Sequence, residues 1–296
     1  MSQQITITAY STALFSTWIF VAQWRLLLDA GDGVCAGLLQ KTRKIHTIAV
    51  THADRDHLAG LFQLLQLNAR DGVPRILYPA DCGSFPALAA FSEKFDPHTE
   101  GQATWTAMQP GEVVPLVQGY KLRSASSFHF TDAGAQVKSL SYLVVREVRS
   151  LKPQYVGNSQ AELDRIRQEH GADQITQVTE EPVLAYSGDT TVSNADTWRG
   201  YKILIHEATY LSHKDAGDQS GRHNQHSVLP DVLEMAKQAG PQVLVLTHFS
   251  PRYKPAEVLD TVRQQCRSLE LAFPVHVVPP GEIMRDLLSA APIWRP

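Results

Sequence analysis

The sequence predicts an α/β protein built as a four-layer αββα sandwich, with two β-sheets facing each other between layers of helices. Short apolar runs rich in β-branched residues alternate with segments of helical spacing along most of the 296 residues. Several of these runs, in both halves of the chain, end in His, Asp or Glu. Because sites in α/β proteins gather at the carboxyl ends of strands, both halves are expected to supply one site.

The individual elements follow from periodicity and turn residues. Strands are predicted over residues 5–10, 17–22, 25–29, 47–51, 75–78, 119–124, 139–145, 183–186, 202–205, 242–246 and 275–278. Helices are predicted over residues 34–40, 58–67, 228–238 and 255–269. We expect one domain over residues 1–296. Residues 149–181 are its least regular part and are interpreted as a surface insertion, which includes a charged, helix-like run over 160–170.

Composition limits the function classes. Hydrophobic residues make up 43% of the chain and the formal net charge is −3, so a nucleic-acid site would need a local basic patch. The three cysteines are scattered without a CxxC motif, which favours a reducing compartment. The N-terminus has no basic region followed by an apolar run. We therefore expect a cytoplasmic protein that does not associate with membranes.

The densest chemical signal directly follows the strand predicted at 47–51 and reads Thr51-His52-Ala53-Asp54-Arg55-Asp56-His57. Imidazole and carboxylate groups are the usual ligands of catalytic divalent ions, although a polar loop would look similar. Further candidates follow other apolar runs. The complete set is His52, Asp54, Asp56, His57, His129, Asp189 and His248. Side chains of this number and type suit two metal ions bridged by one carboxylate, and Asp189 is the natural bridge. His129 lies between aromatic residues, so a hydrogen-bonded core position is the alternative for it.

Four longer motifs give the chain a family resemblance. They are Ser187-Gly188-Asp189-Thr190, His206-Glu207-Ala208-Thr209, His226-Ser227 and Thr247-His248-Phe249-Ser250-Pro251-Arg252-Tyr253. Together with the early Asp29-Ala30-Gly31 turn, they resemble the metallo-β-lactamase fold, and in particular its ribonuclease Z branch. The resemblance covers most of the chain. It implies a hydrolase that removes the 3′ trailer from precursor tRNA, or a related phosphodiesterase.

The resemblance also assigns the metal ligands. One ion would be bound by His52, His129 and Asp54. The other would be bound by Asp56, His57 and His248, with Asp189 bridging the two. Such ions can hold a hydroxide for attack on phosphorus.

Further roles follow from the same resemblance. Asp56 is the candidate general base, and His226 the candidate proton donor to the leaving 3′ oxygen, oriented by Glu207. Ser250 and Arg252 would contact the substrate phosphate, since a guanidinium offers a planar fork to two oxygens. For Arg252, an ordinary surface cation is the alternative. Asp29 would orient a ligand histidine from behind, and His206 is expected to be structural.

The chain departs from the family at the metal motif. The family pattern is His-x-His-x-Asp-His, whereas this chain reads His52-x-Asp54-x-Asp56-His57. A carboxylate therefore replaces an imidazole. The resemblance implies two divalent ions, zinc in the first place, with manganese or iron favoured by the harder Asp54 group. Because Asp is short, contact through water and a weak first ion stay open.

Two other departures concern the substrate. Ser11-Thr12-Ala13 replaces the family's glycine-rich turn, and the long arm expected between His129 and Asp189 is short. That stretch contains basic residues that form either an RNA-binding surface or an ordinary solvated face. They are Arg146, Arg149, Lys152, Arg165 and Arg167.

Three functions remain open at this point. A phosphodiesterase acting on RNA or a small phosphodiester is the leading hypothesis. A metallo-hydrolase of carboxylic esters, lactones or thioesters on the same fold is the second. A non-catalytic homologue whose metal site is weakened by Asp54 is the third. A homodimer is expected, because relatives often dimerise.

Overall fold

Two mixed β-sheets face each other in the structure, a computed structural model that describes residues 5–130, 136–219 and 222–296. The first sheet has the strand order β1-β2-β3-β4-β5-β6. Its strands are antiparallel up to β3 and parallel from β3 to β6. Their bounds are β1 Ile7–Thr12, β2 Ser16–Val21, β3 Leu26–Leu28, β4 Thr47–Ala49, β5 Arg75–Pro79 and β6 Thr104–Met108.

The second sheet has the order β13-β12-β11-β10-β9-β8-β7. Its strands are parallel from β10 to β13 and antiparallel from β7 to β10. Their bounds are β7 Val113–Pro115, β8 Tyr120–Ser126, β9 Leu140–Leu151, β10 Thr176–Tyr186, β11 Ile203–Glu207, β12 Val243–Thr247 and β13 Val275–Val277.

The bounds of the helices are α1 Val34–Leu38, α2 Arg55–Leu58, α3 Leu61–Asn68, α4 Ser84–Phe95, α5 Gln160–His170, α6 Ala172–Ile175, α7 His213–Ala216, α8 Leu229–Ala239 and α9 Pro255–Leu269. Five of the described helices, α1, α3, α4, α8 and α9, cover the outer faces of the two sheets, and the other four lie in connecting segments. Short 3-10 turns connect several of these elements. They span Ala22–Trp24, Leu39–Lys44, Pro97–Thr99, Val117–Gly119, Pro153–Tyr155 and Ala195–Thr197.

Three apolar clusters produce the expected αββα layers. The cluster between the sheets joins residues of both, including Leu28 and Ile205. A second cluster lies between the first sheet and helices α1, α3 and α4, and a third lies between the second sheet and helices α8 and α9. Strands such as β4 are buried on both faces, so they read as continuous apolar runs.

The elements that the sequence did not predict are β6, β7, α4 and the single-turn helices α2, α6 and α7. Helix α4 carries Phe91 and Phe95 on its exposed side, so its apolar residues do not form the single stripe of a surface helix. Strands β9 and β10 also run much further than predicted. Their outer halves are polar, and cross-strand ion pairs such as Arg146 with Glu181 (3.3 Å) stabilise them instead of an apolar face.

Residues 149–181 contain more regular structure than expected. They begin and end in the paired strands β9 and β10, and helix α5 matches the predicted charged run over 160–170. Ser159 begins α5 with a capping box, in which its hydroxyl accepts the backbone N–H of Glu162. That this segment is a surface insertion within a single domain remains a prediction.

The expected basic surface in this segment is largely neutralised by carboxylates. Arg149 lies 3.7 Å from Asp173, and Arg167 lies 3.2 Å from Asp164. With Arg146 also paired, three of the five basic residues that the sequence singled out have an acidic partner, so the segment is a poor polyanion site.

Gly60 tests the packing of α3 against the turn that follows β3. A Cβ at this position would lie 2.3 Å from the carbonyl oxygen of Gly31 and 2.9 Å from that of Ala30, neither of which can rotate away. We expect Gly60→Ala to lower the free energy of unfolding by about 2 kcal/mol, measured by urea denaturation. Gly83→Ala, where a Cβ would meet open space, is the control and should change stability by less than about 1 kcal/mol. Equal effects would contradict the packing argument.

Candidate metal centre

The candidate ligands come together because the strands that precede them end at the same edge of the sandwich. His52 follows β4, His129 follows β8, Asp189 follows β10 and His248 follows β12. Asp56 and His57 lie on α2, a single turn that begins directly after Asp54. Both sheets therefore supply side chains to the centre, as the sequence predicted.

The first group of ligand atoms consists of His52, Asp54 and His129. One oxygen of Asp54, Oδ2, lies 3.6 Å from Nε2 of His52 and 3.6 Å from Nε2 of His129. Two ligands about 2.1 Å from one tetrahedral ion lie about 3.4 Å apart. The separations therefore suit direct coordination by Asp54. Both Nε2 atoms are buried and have no hydrogen-bond partner among the described residues, as expected for atoms that bind an ion.

The second group consists of Asp56, His57 and His248. Asp56 Oδ2 lies 3.6 Å from His57 Nε2 and 3.5 Å from His248 Nε2, and the two ring nitrogens are 3.4 Å apart. The backbone N–H of Leu14 donates to the same Asp56 oxygen at 2.9 Å. This contact fixes the Asp56 carboxylate at the mouth of the site.

Asp189 lies between the two groups. Its Oδ2 faces the imidazoles of both, at 3.7 Å from His52, 3.3 Å from His57 and 3.3 Å from His248. This central position suits the bridging role predicted for it. Burial would raise the pKa of Asp189, but the imidazoles of His248 and His57 outweigh it and hold the pKa well below its usual range.

Asp29 is fully buried behind the second group. Its carboxylate accepts hydrogen bonds from the Thr51 backbone N–H (2.7 Å), the Tyr186 hydroxyl (2.6 Å) and Nδ1–H of His57 (2.8 Å). Because Nδ1 carries the proton that Asp29 accepts, Nε2 is the atom of His57 that faces the centre. Burial would lower the pKa of His57, but the Asp189 and Asp29 carboxylates outweigh it and raise the pKa well above its usual range, so a bound ion would take the place of the Nε2 proton.

Two threonine hydroxyls set the other ring tautomers. Thr51 Oγ1 donates to Asp29, so it accepts from Nδ1–H of His52 at 2.9 Å. Thr209 Oγ1 donates to Glu207 at 2.6 Å, so it accepts from Nδ1–H of His248 at 2.9 Å. In the neutral form of both rings Nε2 is therefore the nitrogen without a proton, and it is directed at the cluster.

Backbone groups hold the remaining ligands. Nδ1–H of His129 donates to the Gln225 carbonyl at 3.0 Å. His248 has a left-handed backbone with φ of 61°, and its N–H donates to Ser11 Oγ at 2.9 Å. A left-handed histidine is strained and persists only where its surroundings hold it. Ser11, in the run that replaces the family's glycine-rich turn, supplies that contact.

His226 and Glu207 form a pair beside the metal ligands. Nδ1 of His226 lies 3.2 Å from Glu207 Oε1, and Glu207 also accepts from the backbone N–H of Thr190 at 2.8 Å. Burial would lower the pKa of His226, but the Glu207 carboxylate outweighs it and raises the pKa to about 9. Glu207 thus holds the His226 ring in one orientation, and the raised pKa keeps the ring protonated at neutral pH, so that it has a proton to donate.

The centre carries an excess of negative charge. Its carboxylates are Asp29, Asp54, Asp56, Asp189 and Glu207. Burial would raise the pKa of Asp56, but the neighbouring imidazoles of His248 and His57 lower it to about 2. Buried carboxylates need compensating cations, and without bound ions His57 and His226, whose pKa values the adjacent carboxylates raise against the effect of burial, offset only part of this charge. Together with the inward Nε2 atoms, this charge shows that the residues fit divalent metal ions.

A cleft of about 240 Å³ opens onto the cluster and is lined by residues of both groups together with His226, Ser250 and Arg252. Arg252 Nε donates to Ser250 Oγ at 3.1 Å, and its guanidinium lies 5.5 Å from the centre of the Tyr210 ring. All the side chains predicted for metal, acid–base and phosphate roles therefore lie at or behind one cleft, although their roles remain predictions.

Sequence reasoning missed the residues that hold these side chains in place. They are Thr51, Tyr186, Thr209, Asn224 and Gln225. Thr51 and Thr209 lie inside the quoted motifs, where a hydroxyl next to ligand residues was the available signal. The others contact the site only through tertiary folding. Asn224, for example, donates through Nδ2 to Asp54 Oδ2 at 3.0 Å, across 170 positions of sequence.

His206 lies apart from the ligand cluster. Its Nδ1–H donates to the Glu207 carbonyl at 2.7 Å, and its ring packs edge-on against Trp198. These contacts are those of a buried structural residue, which is the role expected for it.

The family profile described as "Beta-lactamase superfamily domain" matches residues 24–249. The chain belongs to this superfamily. Ribonuclease Z of Pyrobaculum aerophilum is 30% identical over 254 residues, covering 79% of this chain and 80% of the relative. The Arabidopsis thaliana protein "tRNase Z TRZ2, chloroplastic" is 26% identical over 295 residues, covering 96% of this chain and 77% of the relative.

Comparison with solved structures gives the same fold. The short form of human tRNase Z superimposes with a TM-score of 0.58 and 18% identity, covering 94% of this chain and 98% of that one. The expected fold, the resemblance to ribonuclease Z and the assignment to metal-dependent hydrolases are confirmed. Among the described helices, none has the length and apolar character needed to cross a bilayer.

Asp29→Asn tests whether the buried carboxylate orients His57. An amide nitrogen cannot accept the hydrogen bonds that Asp29 takes from His57 and Tyr186, so the ring loses its fixed tautomer. We expect zinc affinity, measured by competition with a chromophoric chelator, to fall about 10- to 100-fold. The exposed Asp32→Asn variant is the control and should bind zinc normally. Unchanged affinity in Asp29→Asn would show that His57 needs no such support.

Asn224→Leu tests the support of Asp54. Leucine matches asparagine in size but cannot donate to the Asp54 carboxylate, so we expect the affinity of the first group to fall about tenfold. In a zinc titration monitored by calorimetry, one binding step should weaken while the other stays unchanged.

Asn158→Leu, at an exposed asparagine far from the centre, is the matched control. If both steps weaken equally, or neither does, Asn224 does not act through Asp54.

Proposed function

We propose that this chain is a metal-dependent phosphodiesterase that cleaves RNA internally, with precursor tRNA as the substrate that its relatives' names suggest. The observation that carries the proposal is the His226–Glu207 pair, which lies in the same cleft as the two groups of ligand atoms. A poor leaving group such as a ribose 3′ oxygen needs a proton donor, and this pair can supply one.

We propose that the two groups of ligand atoms hold two divalent ions, with Asp189 between them. Zinc is the first expectation, because imidazole nitrogens dominate the donor set. Asp54 adds a hard oxygen to the first group, so manganese or iron would also be accepted there. When bound, the ions would lower the pKa of an attacking water and offset charge on the phosphate.

The chain's own residues would divide the proton transfers. Asp56 is held at the cleft mouth by Leu14 and would take the proton of the attacking water. Nδ1 of His226 is held by Glu207, so Nε2 is the nitrogen that would give a proton to the leaving oxygen. Glu207 itself is fixed by Thr190 and Thr209 and keeps the ring in one orientation.

Ser250 and Arg252 would bind the substrate phosphate. Both line the cleft, and Arg252 is held against Ser250 and the Tyr210 ring. A guanidinium kept in one orientation pays less entropy to bind two phosphate oxygens than a freely moving one. The arrangement supports contact with a diester that enters from solvent.

The competing functions are weakened by the same geometry. Esters, lactones and thioesters would use such ions but have no need of His226 with Glu207. A non-catalytic homologue has no reason to keep Asp54 at ligand distance from His52 and His129. A cytoplasmic location and a homodimer remain predictions.

His226→Ala tests the proposed proton donor with two substrates. A 3′ alkoxide needs protonation, whereas the p-nitrophenolate of bis(p-nitrophenyl) phosphate leaves without it. We expect kcat on a precursor tRNA to fall about 10²- to 10⁴-fold, with less than about a tenfold loss on the small diester. Both assays use protein stripped of metal and reloaded with zinc, manganese or iron.

The exposed His213→Ala variant is the control and should match the parent on both substrates. Equal losses on both substrates would make His226 a structural or metal-binding residue. Hydrolysis of carboxylic esters without any diester turnover would favour the metallo-hydrolase of esters, lactones or thioesters. No turnover with any metal would favour the non-catalytic homologue.

A further inference from the structure

A patch of basic side chains lies at the edge of the first sheet opposite the metal centre. We call it the basic edge, and it consists of Arg25, Lys41, Arg43, Lys44, Arg70 and Arg75. Arg25 directly precedes β3, Arg75 begins β5, and three members lie in the 3-10 turn Leu39–Lys44. All of them are exposed except Arg75, which is half-buried.

Hydrogen bonds to one another and to neighbouring residues hold several members of the basic edge in place. Arg70 donates to the Arg43 carbonyl at 3.2 Å, and Arg25 Nη1 lies 2.9 Å from Nε2 of His46. Arg75 donates to the Pro115 carbonyl at 2.6 Å. These bonds orient the guanidinium groups through neutral partners, so they leave the positive charge uncompensated.

The basic edge differs from the basic side chains of the second sheet in having no acidic partners among the described residues. In the part of the chain that the structure describes, none of its members forms an ion pair with a carboxylate. By contrast, Lys121, Arg123, Arg146 and Lys202 on the second sheet all pair with glutamates. Burial lowers the pKa of His46, and the charges of Arg25 and Arg70 lower it further. The positive charges of Arg25 and Arg70 therefore both act on His46, which adjoins the basic edge.

The same strands connect the basic edge to the metal centre. β3 begins after Arg25 and ends before Asp29, and β4 begins after His46 and ends shortly before His52. Six residues of extended chain span about 20 Å. A small diester bound at the centre cannot reach the basic edge, whereas an RNA with a stem of several base pairs can contact both.

We propose that the basic edge binds the phosphate backbone of the RNA substrate away from the cleavage site. The proposal rests on the RNA phosphodiesterase activity proposed above. Lysine and arginine side chains without acidic partners bind phosphates independently of sequence and release counterions as they do so. The basic edge fixes where the RNA lies, and the metal centre cuts it.

The test compares two triple variants of the full-length, metal-loaded protein. Lys41→Ser/Arg43→Ser/Lys44→Ser removes three charges from the basic edge. Arg149→Ser/Lys152→Ser/Arg167→Ser removes three charges from the end of β9 and the segment that joins it to β10. We expect KM for a stem-containing precursor RNA to rise about tenfold in the first variant only, with the dependence of log KM on log salt shallower by about two. Its kcat on RNA and its turnover of bis(p-nitrophenyl) phosphate should stay unchanged.

The controls separate this proposal from the proposed function. If the parent hydrolyses the small diester and the first variant keeps the parent's KM for RNA, the basic edge is not the RNA site. A raised KM in the second variant instead would place RNA on the β9–β10 segment and overturn the proposal. If the parent cleaves no diester at all, the proposed function fails. In that case, fluorescence anisotropy with a labelled form of the precursor RNA, measured on the parent and both triple variants, still decides whether the basic edge binds RNA.

Discussion

Both the fold and the metal centre depend on the hydrogen bonds that the buried carboxylate of Asp29 accepts. It joins the two sheets, because it accepts from Thr51 and His57 in the first half of the chain and from Tyr186 at the end of β10. A buried carboxylate is costly unless donors surround it. Here the donors are also the residues that set the position of the ligands. If His57 or Thr51 were displaced, the buried carboxylate of Asp29 would lose a hydrogen-bond donor. The fold is therefore stable only when these residues are in the positions that the metal centre needs.

The same principle operates at the other side of the centre through Glu207. Its carboxylate accepts from the Thr209 hydroxyl, which in turn accepts from His248, and it also holds His226. One buried carboxylate thus orients a metal ligand and the proposed proton donor together. Each carboxylate–hydroxyl–imidazole relay turns Nδ1 towards the hydroxyl and directs Nε2 inward. Hydrogen bonds within the protein thus orient the ligand side chains without help from a bound metal ion.

The sequence predicted the layers and most strands, and the residues that it singled out for metal, acid–base and phosphate roles come together at one cleft, because those features leave local signals. Apolar runs mark buried strands, and His, Asp and Glu after them mark the site. The outer halves of β9 and β10 left no such signal, since cross-strand ion pairs stabilise them. Asn224 and Tyr186 were invisible for a related reason. Each acts through one hydrogen bond to a residue far away in sequence, and neither residue type indicates a site by itself.

The net charge of −3 conceals a separation of charge along the first sheet. Carboxylates collect where β3 and β4 end, and unpaired cations collect where they begin. Without bound ions the centre repels a phosphate, so affinity for a polyanion has to come from ions in the centre or from a second surface. At about 20 Å the basic edge lies well beyond the screening length of about 8 Å at physiological ionic strength. Its charges therefore act only on an RNA that contacts them directly. The electrostatics of the cleavage step depends on the carboxylates, the imidazoles and the ions of the centre.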